Sequence, residues 1–104
     1  MNILLACNAG VSTGMLADKM EDYAKSQGID ANVWAVDIAQ VLDEVKEQNV
    51  DCILIGPQIS YKLKRLKADL SSYGIPAGVM SFQDYGTMNA INIFNAAKKL
   101  LEDR

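Results

Sequence analysis

The stretch NILLACNAGVSTGML, residues 2–16, joins an apolar run to a loop of small residues and then to the start of a helical pattern. The run before Cys7 is aliphatic, as in a strand that is buried on both faces of a parallel sheet. The loop contains Gly10 and Gly14, which allow the backbone to turn tightly. A strand, a tight turn and a helix form the first half of a βαβ unit, so this stretch predicts an α/β fold.

Three later segments share the short, apolar character of the first. The four predicted strands are residues 2–6, 32–36, 51–55 and 76–80. Between and after them, apolar residues recur three or four positions apart, as on the buried face of a helix. These stripes are Leu16, Met20, Tyr23 and Gln27; Ile38, Val41, Leu42 and Val45; Ile59, Leu63, Leu66 and Leu70; and Ile91, Phe94, Ala97 and Leu101. Because βαβ crossovers are right-handed, the pattern predicts a small doubly wound four-stranded parallel sheet with helices on both faces.

Boundary residues agree with this alternation. Gly28 follows the first helical stripe and Gly74 the third, as helix-ending glycines do. Asp37 is placed to cap the second helix, and Pro57 to open the third. We find no linker or repeat, and the length of 104 residues predicts one domain spanning residues 1–104.

Composition excludes several classes of function. Lys and Arg total 10 against 13 Asp and Glu, and no basic block is available to bind nucleic acid. The sequence has no histidine and no Cys-x-x-Cys pair, so we expect no metal site and no cofactor. The apolar runs are short and the N-terminus does not resemble a signal peptide, so we expect a cytoplasmic protein whose two cysteines are free thiols.

Cys7 is the candidate nucleophile. Ligands of doubly wound sheets bind beyond the carboxyl ends of the strands, where the strand order reverses. Backbone N–H groups of a glycine-containing loop, with the positive end of a helix behind them, would bind a phosphoryl group and favour the thiolate. The predicted phosphate-binding residues are Asn8, Ala9, Gly10, Val11, Ser12, Thr13 and Gly14. Hydroxyls of Ser12 and Thr13 either donate to phosphate or cap the helix.

Alternatives to a phosphate carrier remain open at this point. Cys7 on its own is also compatible with a small buried hydrophobe, as we expect for Cys52 among its aliphatic neighbours. Low-molecular-weight tyrosine phosphatases place Cys-x5-Arg after the first strand, but the arginine position here is Thr13. Without that guanidinium, hydrolysis of a bound phosphoryl group lacks its usual clamp. A non-catalytic anion-binding or regulatory module is the rival from another class.

Two motifs make the whole chain resemble a known family. CNAGVSTGML at residues 7–16 and GPQISY at residues 56–61 are similar to motifs of the enzyme IIB components of the bacterial phosphoenolpyruvate-dependent sugar phosphotransferase system, lactose/cellobiose (chitobiose) class. The resemblance implies a fold like that of the low-molecular-weight tyrosine phosphatases. It also implies that Cys7 is a phosphocysteine, loaded by a phosphohistidine of a IIA protein. The phosphate would then pass to a sugar bound by the membrane component IIC, with a β-disaccharide such as cellobiose or chitobiose preferred.

Further residues are expected at the same sheet edge. Gln58, Ile59 and Tyr61 follow the third predicted strand and are expected to line the approach to Cys7. SFQDYG, residues 81–86, follows the last strand and reaches the same edge, and no chemistry is assigned to it. A relay exposes its loop to two partners in turn, and we therefore expect a monomer.

Overall fold

The computed structural model describes residues 1–8 and 11–104, and only the backbone of residues 11 and 12. Its strands are β1 (Asn2–Cys7), β2 (Asn32–Asp37), β3 (Cys52–Ile55) and β4 (Ala77–Val79). They form one parallel sheet in the order β2-β1-β3-β4. The predicted four-stranded parallel sheet is confirmed, with each strand boundary within one residue of its predicted position.

In the described ranges, five α-helices follow or connect the strands. They are α1 (Val11–Ser26), α2 (Val41–Glu47), α3 (Leu63–Leu70), α4 (Phe82–Gly86) and α5 (Ala90–Asp103). Short 3₁₀ segments occupy Ile38–Gln40, Pro57–Lys62 and Ser71–Tyr73. The helix α4 is absent from the sequence prediction, although Ser81 begins it by accepting a hydrogen bond of 3.0 Å from the Asp84 N–H. The spacing Ser-x-x-Asp is a known start signal for a helix.

Alternate residues of the strands contact different helices. On one face, Ile3, Leu5 and Leu54 pack with buried residues of α1 and α5. On the other face, Leu4 and Ile53 pack with buried residues of α2 and α3. Successive side chains of a strand point to opposite faces, so a sheet covered on both sides buries every residue of β1 after Asn2. The structure therefore confirms helices on both faces.

Most predicted boundaries hold, with local differences. Gly28 and Gly74 have φ angles of 71° and 67°, the left-handed conformation that ends a helix. Asp37 caps the 3₁₀ turn that precedes α2, accepting a hydrogen bond from Ala39 N–H. Pro57 opens the 3₁₀ segment, so α3 begins later than predicted, at Leu63.

Two members of the predicted helix stripes are exposed. Ile91, in the first turn of α5, is 49% exposed, and Ile93 is buried instead. Gln27 is exposed and lies one residue beyond the end of α1. A spacing of three or four predicts a shared helix face, but it does not show which neighbouring row faces the sheet.

The strand order places the site. In the sheet, β2 lies on one side of β1 and β3 lies on the other. The chain therefore moves first to one side of β1 and then to the opposite side, so the strand order reverses at β1. Helices that follow the two central strands lie on opposite faces, which opens a crevice at the carboxyl end of the sheet. Cys7 is the last residue of β1 and therefore lies at this crevice.

Candidate functional site

Cys7 ends the strand at the centre of the sheet. Its register partner in β2 is Asp37, and Ala6 beside it pairs with Ile55 at the end of β3. The Cys7 side chain is 5% exposed. Burial alone does not distinguish it from Cys52, which is fully buried, so the polar contacts of the two sulfurs decide between them.

Thr13 provides the polar contact of Cys7. Its Oγ1 atom lies 2.8 Å from Cys7 Sγ, and its side chain is fully buried. Thr13 is the third residue of α1, inside the first turn rather than before it. Donation to phosphate and helix capping were the two predicted roles of this hydroxyl, and the contact that the structure describes is instead with the Cys7 sulfur.

Tyr85 extends this contact from the other end of the chain. Its hydroxyl lies 3.2 Å from Thr13 Oγ1, across a separation of 72 residues. The phenol belongs to α4, the helix that follows β4, and its side chain is half-buried. Residues 81–86 are predicted at this edge without a role, because no linear sequence pattern identifies which hydroxyl meets Thr13.

Gly56, the residue directly after β3, borders Cys7. A Cβ atom at this glycine would lie 3.1 Å from Cys7 Cβ and 3.1 Å from Gln58 Oε1. These distances are shorter than ordinary van der Waals contact, so the absence of a side chain at Gly56 makes room for Cys7. Gln58 is exposed, and its Oε1 atom flanks the same small space.

Ile59 and Tyr61 occupy different environments from Gln58. Ile59 is 1% exposed and packs in the core between the sheet and α2 and α3. The prediction that Ile59 lines the approach is therefore wrong, because the kinked 3₁₀ backbone at this residue directs its side chain into the core. Tyr61 is 74% exposed, with Lys62 Nζ 5.9 Å from its ring centre.

The predicted phosphate loop is described in part. Ala9 and Gly10 lie outside the described residues, and Asn8 before them is exposed. Val11 to Gly14 form the first turn of α1, where backbone N–H groups have no acceptor within the helix. The expectation that Gly14 serves a tight turn is wrong, because Gly14 is helical and a Cβ there would meet nothing within 4 Å.

Cys52 has the environment of a core residue. Its only hydrogen-bond partner among the described residues is the Ala97 carbonyl oxygen, 3.9 Å from the sulfur. Burial raises the pKa of the Cys52 thiol from 9.0 to about 12, with a further increase from the nearby Asp51 carboxylate. Cys52 is therefore a neutral thiol at physiological pH, whereas Cys7 contacts a hydroxyl at the site edge.

Metal-ligating side chains do not cluster in the described part of the chain. Among the residues that the structure describes, no three His, Cys, Asp or Glu side chains lie close enough together to hold a metal ion. A central strand ends in a cysteine, a helix starts behind it and a hydroxyl contacts its sulfur. These features define a small α/β protein whose strand-end thiol has surroundings of the kind that group transfer requires.

Comparison with known proteins identifies the family. Residues 2–96 match the family described as PTS system, lactose/cellobiose specific IIB subunit. The chain therefore belongs to the lactose/cellobiose-specific IIB family of the sugar phosphotransferase system. Its members are phosphotransferases that pass phosphate to a sugar, working in general with IIA and IIC components.

Curated relatives and solved structures agree with this family. The chain is 34% identical over 99 residues to the oligo-beta-mannoside-specific EIIB component of Bacillus subtilis, covering 95% of this chain and 94% of the relative. It is 33% identical over 102 residues to the galactose-specific EIIB component of one Lactococcus lactis strain, again covering 95% and 94%. The cellobiose-specific EIIB component of a second strain gives the same identity and coverage.

The structural neighbours have the same fold. The solution structure of a cellobiose-specific IIB component from Borrelia burgdorferi superposes with a TM-score of 0.79 at 37% identity, covering 99% of this chain and 93% of the other. The lactose-specific IIB domain of Streptococcus pneumoniae gives a TM-score of 0.75 at 18% identity, over 98% and 91% of the two chains. The fold is that of IIB domains, which resembles the low-molecular-weight tyrosine phosphatases.

Proposed function

We propose that Cys7 is the phosphorylated residue of this IIB component and carries one phosphoryl group from a IIA protein to a sugar bound by IIC. The observation that carries the proposal is the 2.8 Å contact between Cys7 Sγ and the buried Thr13 hydroxyl. A sulfur that gains and loses charge during transfer is stabilised by a donor fixed at hydrogen-bond distance. Within the described part of the chain, the hydrogen-bond partner of Cys52 is a carbonyl oxygen, which is an acceptor.

The transfer proceeds in two steps with Cys7 between them. In the first, the Cys7 thiolate forms an S–P bond while the N–P bond of the IIA phosphohistidine breaks, and its electron pair stays on the imidazole. In the second, a sugar hydroxyl forms an O–P bond while the S–P bond breaks and returns its electron pair to sulfur. The hydroxyl proton leaves to solvent or to a base of IIC. Positioning and charge stabilisation supply most of the catalysis of such transfers.

The start of α1 is the proposed phosphate cradle. Backbone N–H groups of Val11, Ser12 and Thr13 lie in the first turn, where the positive end of the helix dipole favours an anion. Asn8, Ala9 and Gly10 connect Cys7 to that turn and complete the proposed cradle. Gln58 is proposed to border the incoming group, because it flanks the space between Gly56 and Cys7.

Exposed apolar side chains surround this edge and suit alternating partners. Met15 near the start of α1, Tyr61 after β3 and Phe82 at the start of α4 are 56%, 74% and 70% exposed. All three belong to segments that leave the carboxyl end of the sheet, so we propose that they contribute to a surface for protein contacts. We propose that IIA and IIC cover this edge in turn, and that the protein acts as a monomer so that the edge stays accessible to both.

The proposed acceptor is a β-linked disaccharide such as cellobiose or chitobiose. In support, two of the three relatives above are specific for oligo-beta-mannoside and cellobiose, and the third for galactose. We propose cytoplasmic action with transient contact at the membrane through IIC. Across the described residues, no helix is both long and apolar enough to cross a bilayer.

A complete relay assay tests the proposal. The protein is combined with phosphoenolpyruvate, the upstream phosphotransferases, IIA and membranes that contain IIC, and sugar phosphate is measured. We expect Cys7→Ser to abolish transfer, because a serine hydroxyl with no base is a weak nucleophile. The matched control Cys52→Ala should retain transfer. Equal transfer by wild-type protein and Cys7→Ser would refute the proposal.

A further inference from the structure

A chain of two hydroxyl contacts leads from the sulfur of Cys7 to a tyrosine of another helix. Cys7 Sγ lies 2.8 Å from Thr13 Oγ1, and Thr13 Oγ1 lies 3.2 Å from the Tyr85 hydroxyl. The three groups come from β1, α1 and α4, and they meet at the carboxyl end of the sheet. The described contacts link Tyr85 to the Cys7 sulfur by way of the Thr13 hydroxyl.

We propose that Tyr85 is a positioning residue for phosphoryl transfer, whose hydroxyl donates to Thr13 Oγ1 and thereby holds the Thr13 hydroxyl as a donor to the Cys7 sulfur. This inference rests on the proposed role of Cys7 as the phosphate carrier. It adds a residue that lies outside the cysteine loop and that belongs to a helix the sequence analysis did not predict.

The direction of the hydrogen bonds follows from the chemistry of sulfur. A thiolate or a phosphocysteine has no S–H, so its sulfur can only accept. Thr13 must then donate its single hydroxyl proton to sulfur, which leaves its oxygen lone pairs free to accept. A tyrosine hydroxyl is a donor of suitable geometry, and the 3.2 Å separation allows that bond. In the unphosphorylated thiol form, the S–H can donate instead, so the state of Cys7 sets the direction of the chain.

Without a further hydrogen bond, the Thr13 hydroxyl would have more than one orientation available. A threonine hydroxyl inside a helix has two accessible rotamers, and it often bonds a carbonyl of the preceding turn instead. The Thr13 side chain is fully buried, so bulk water does not compete for its hydroxyl. A bond from Tyr85 therefore favours one rotamer, the one in which the hydroxyl contacts Cys7.

The helix that carries Tyr85 is fixed at both ends. Ser81 caps its start, and the Asp84 carboxylate accepts a hydrogen bond of 3.0 Å from Asn92 Nδ2 of α5. The Asn89 N–H donates to the Asp84 carbonyl oxygen at 2.8 Å. Met88, just beyond α4, has a φ angle of 50°, a conformation that costs energy for a side chain of this kind. These contacts hold α4 against α5 and limit the positions open to the Tyr85 hydroxyl.

The effect falls on the step in which the S–P bond breaks. The electron pair returns to Cys7 Sγ, and the developing negative charge is stabilised by the Thr13 O–H that already points to it. Loss of Tyr85 would leave the Thr13 hydroxyl present but less well oriented. We therefore expect removal of the phenol hydroxyl to slow transfer without preventing the binding of either partner.

Rates of phosphoryl transfer from the loaded protein test the inference. We expect Tyr85→Phe to slow transfer by about tenfold, the effect of a hydrogen bond worth roughly 1.4 kcal/mol. The control Tyr23→Phe removes a phenol hydroxyl at a ring that packs on Phe94, and we expect its rate to stay within about twofold of wild type. Urea unfolding of each variant checks that the fold persists.

The Thr13 variants separate positioning from a general structural effect. Thr13→Ser keeps the hydroxyl and should retain most of the rate, whereas Thr13→Val should lose it. The double variant Tyr85→Phe with Thr13→Val should be no slower than Thr13→Val alone, because the proposed route from Tyr85 to the sulfur runs through that hydroxyl. The ³¹P resonance of phosphorylated Tyr85→Phe should also shift relative to wild type.

The outcomes also distinguish this inference from the proposed function. Wild-type protein that never carries phosphate on Cys7 would overturn both. Wild-type protein that carries it, together with wild-type rates in Tyr85→Phe, would overturn the role of Tyr85 alone. Losses that multiply in the double variant would likewise contradict action through Thr13.

Discussion

Thr13 Oγ1 lies 2.8 Å from Cys7 Sγ, and the strand that ends in Cys7 thereby meets the first turn of the helix that follows it. Phosphatases of similar fold have an arginine at the position that Thr13 occupies. Threonine supplies one neutral donor where arginine supplies a charged, bidentate clamp. This difference fits a site that accepts a phosphoryl group and releases it to a partner rather than to water.

Substitution at Gly56 is expected to impair the site through crowding. In Gly56→Ala, the new Cβ would lie 3.1 Å from Cys7 Cβ, an atom fixed to the strand backbone, and from the more adaptable Gln58 Oε1. We expect a loss of about 1–3 kcal/mol in the free energy of unfolding, typical of an overpacked site, and slower loading of Cys7. Urea unfolding and the rate of phosphate uptake measure the two effects. Wild-type values for both would show that the space above Gly56 is not needed.

Substitution of Gly14 by alanine is expected to stabilise the protein, in contrast to substitution of Gly56. It lies within α1, and a Cβ at this position would meet nothing within 4 Å. Gly14→Ala should therefore raise the free energy of unfolding by about 0.5–1 kcal/mol, because alanine loses less backbone entropy in a helix. Thermal unfolding of the variant beside wild type measures the change. A lower melting temperature would show that the glycine is required by the fold.

Cys52 is expected to make stability fall at alkaline pH. The pKa of its thiol is about 12 in the folded protein, against an ordinary value of 9.0. The folded state therefore holds this proton more tightly than the unfolded state. The stabilising contribution is complete below pH 9.0 and is lost between there and about pH 12, at about 1.4 kcal/mol per pH unit.

Comparison with Cys52→Ala isolates that contribution. At pH 8 the variant should be less stable than wild type, because the smaller side chain leaves a cavity in the core. Between pH 9 and pH 11 the difference in the free energy of unfolding between the two proteins should narrow, since only wild type has this thiol to ionise on unfolding. Tyrosines and lysines are common to both proteins and do not change the difference. Urea unfolding over this pH range measures it. A difference that stays constant with pH would contradict a raised pKa at Cys52.

The fold was largely predictable because its determinants are local. Aliphatic runs before Cys7 and around Ile53 indicate strands buried on both faces, and Gly28 and Gly74 mark the ends of elements by their conformational freedom. The rest depends on contacts between distant residues. The side chain of Ile59 turns into the core at a backbone kink, which no spacing pattern encodes.

The sequence predicts only those parts of the site whose residues are close together along the chain. Cys7 and the first turn of α1 are adjacent in sequence, so a strand, loop and helix pattern brings them together. The contact between Thr13 and Tyr85 spans 72 residues and depends on how α4 is held against α5. The Ser81 capping pattern would have predicted α4 itself, although not the direction of Tyr85.

Mapping of the phosphate on the loaded protein tests the role of Cys7 most directly. After incubation with phosphoenolpyruvate and the upstream phosphotransferases, digestion by trypsin separates the two cysteines, because Lys19, Lys25 and Lys46 lie between them. Mass spectrometry under conditions that preserve phosphocysteine should find one phosphate, on the peptide that contains Cys7. Phosphate on the Cys52 peptide, or on a serine, threonine or tyrosine hydroxyl, would contradict the role of Cys7 as the phosphate carrier.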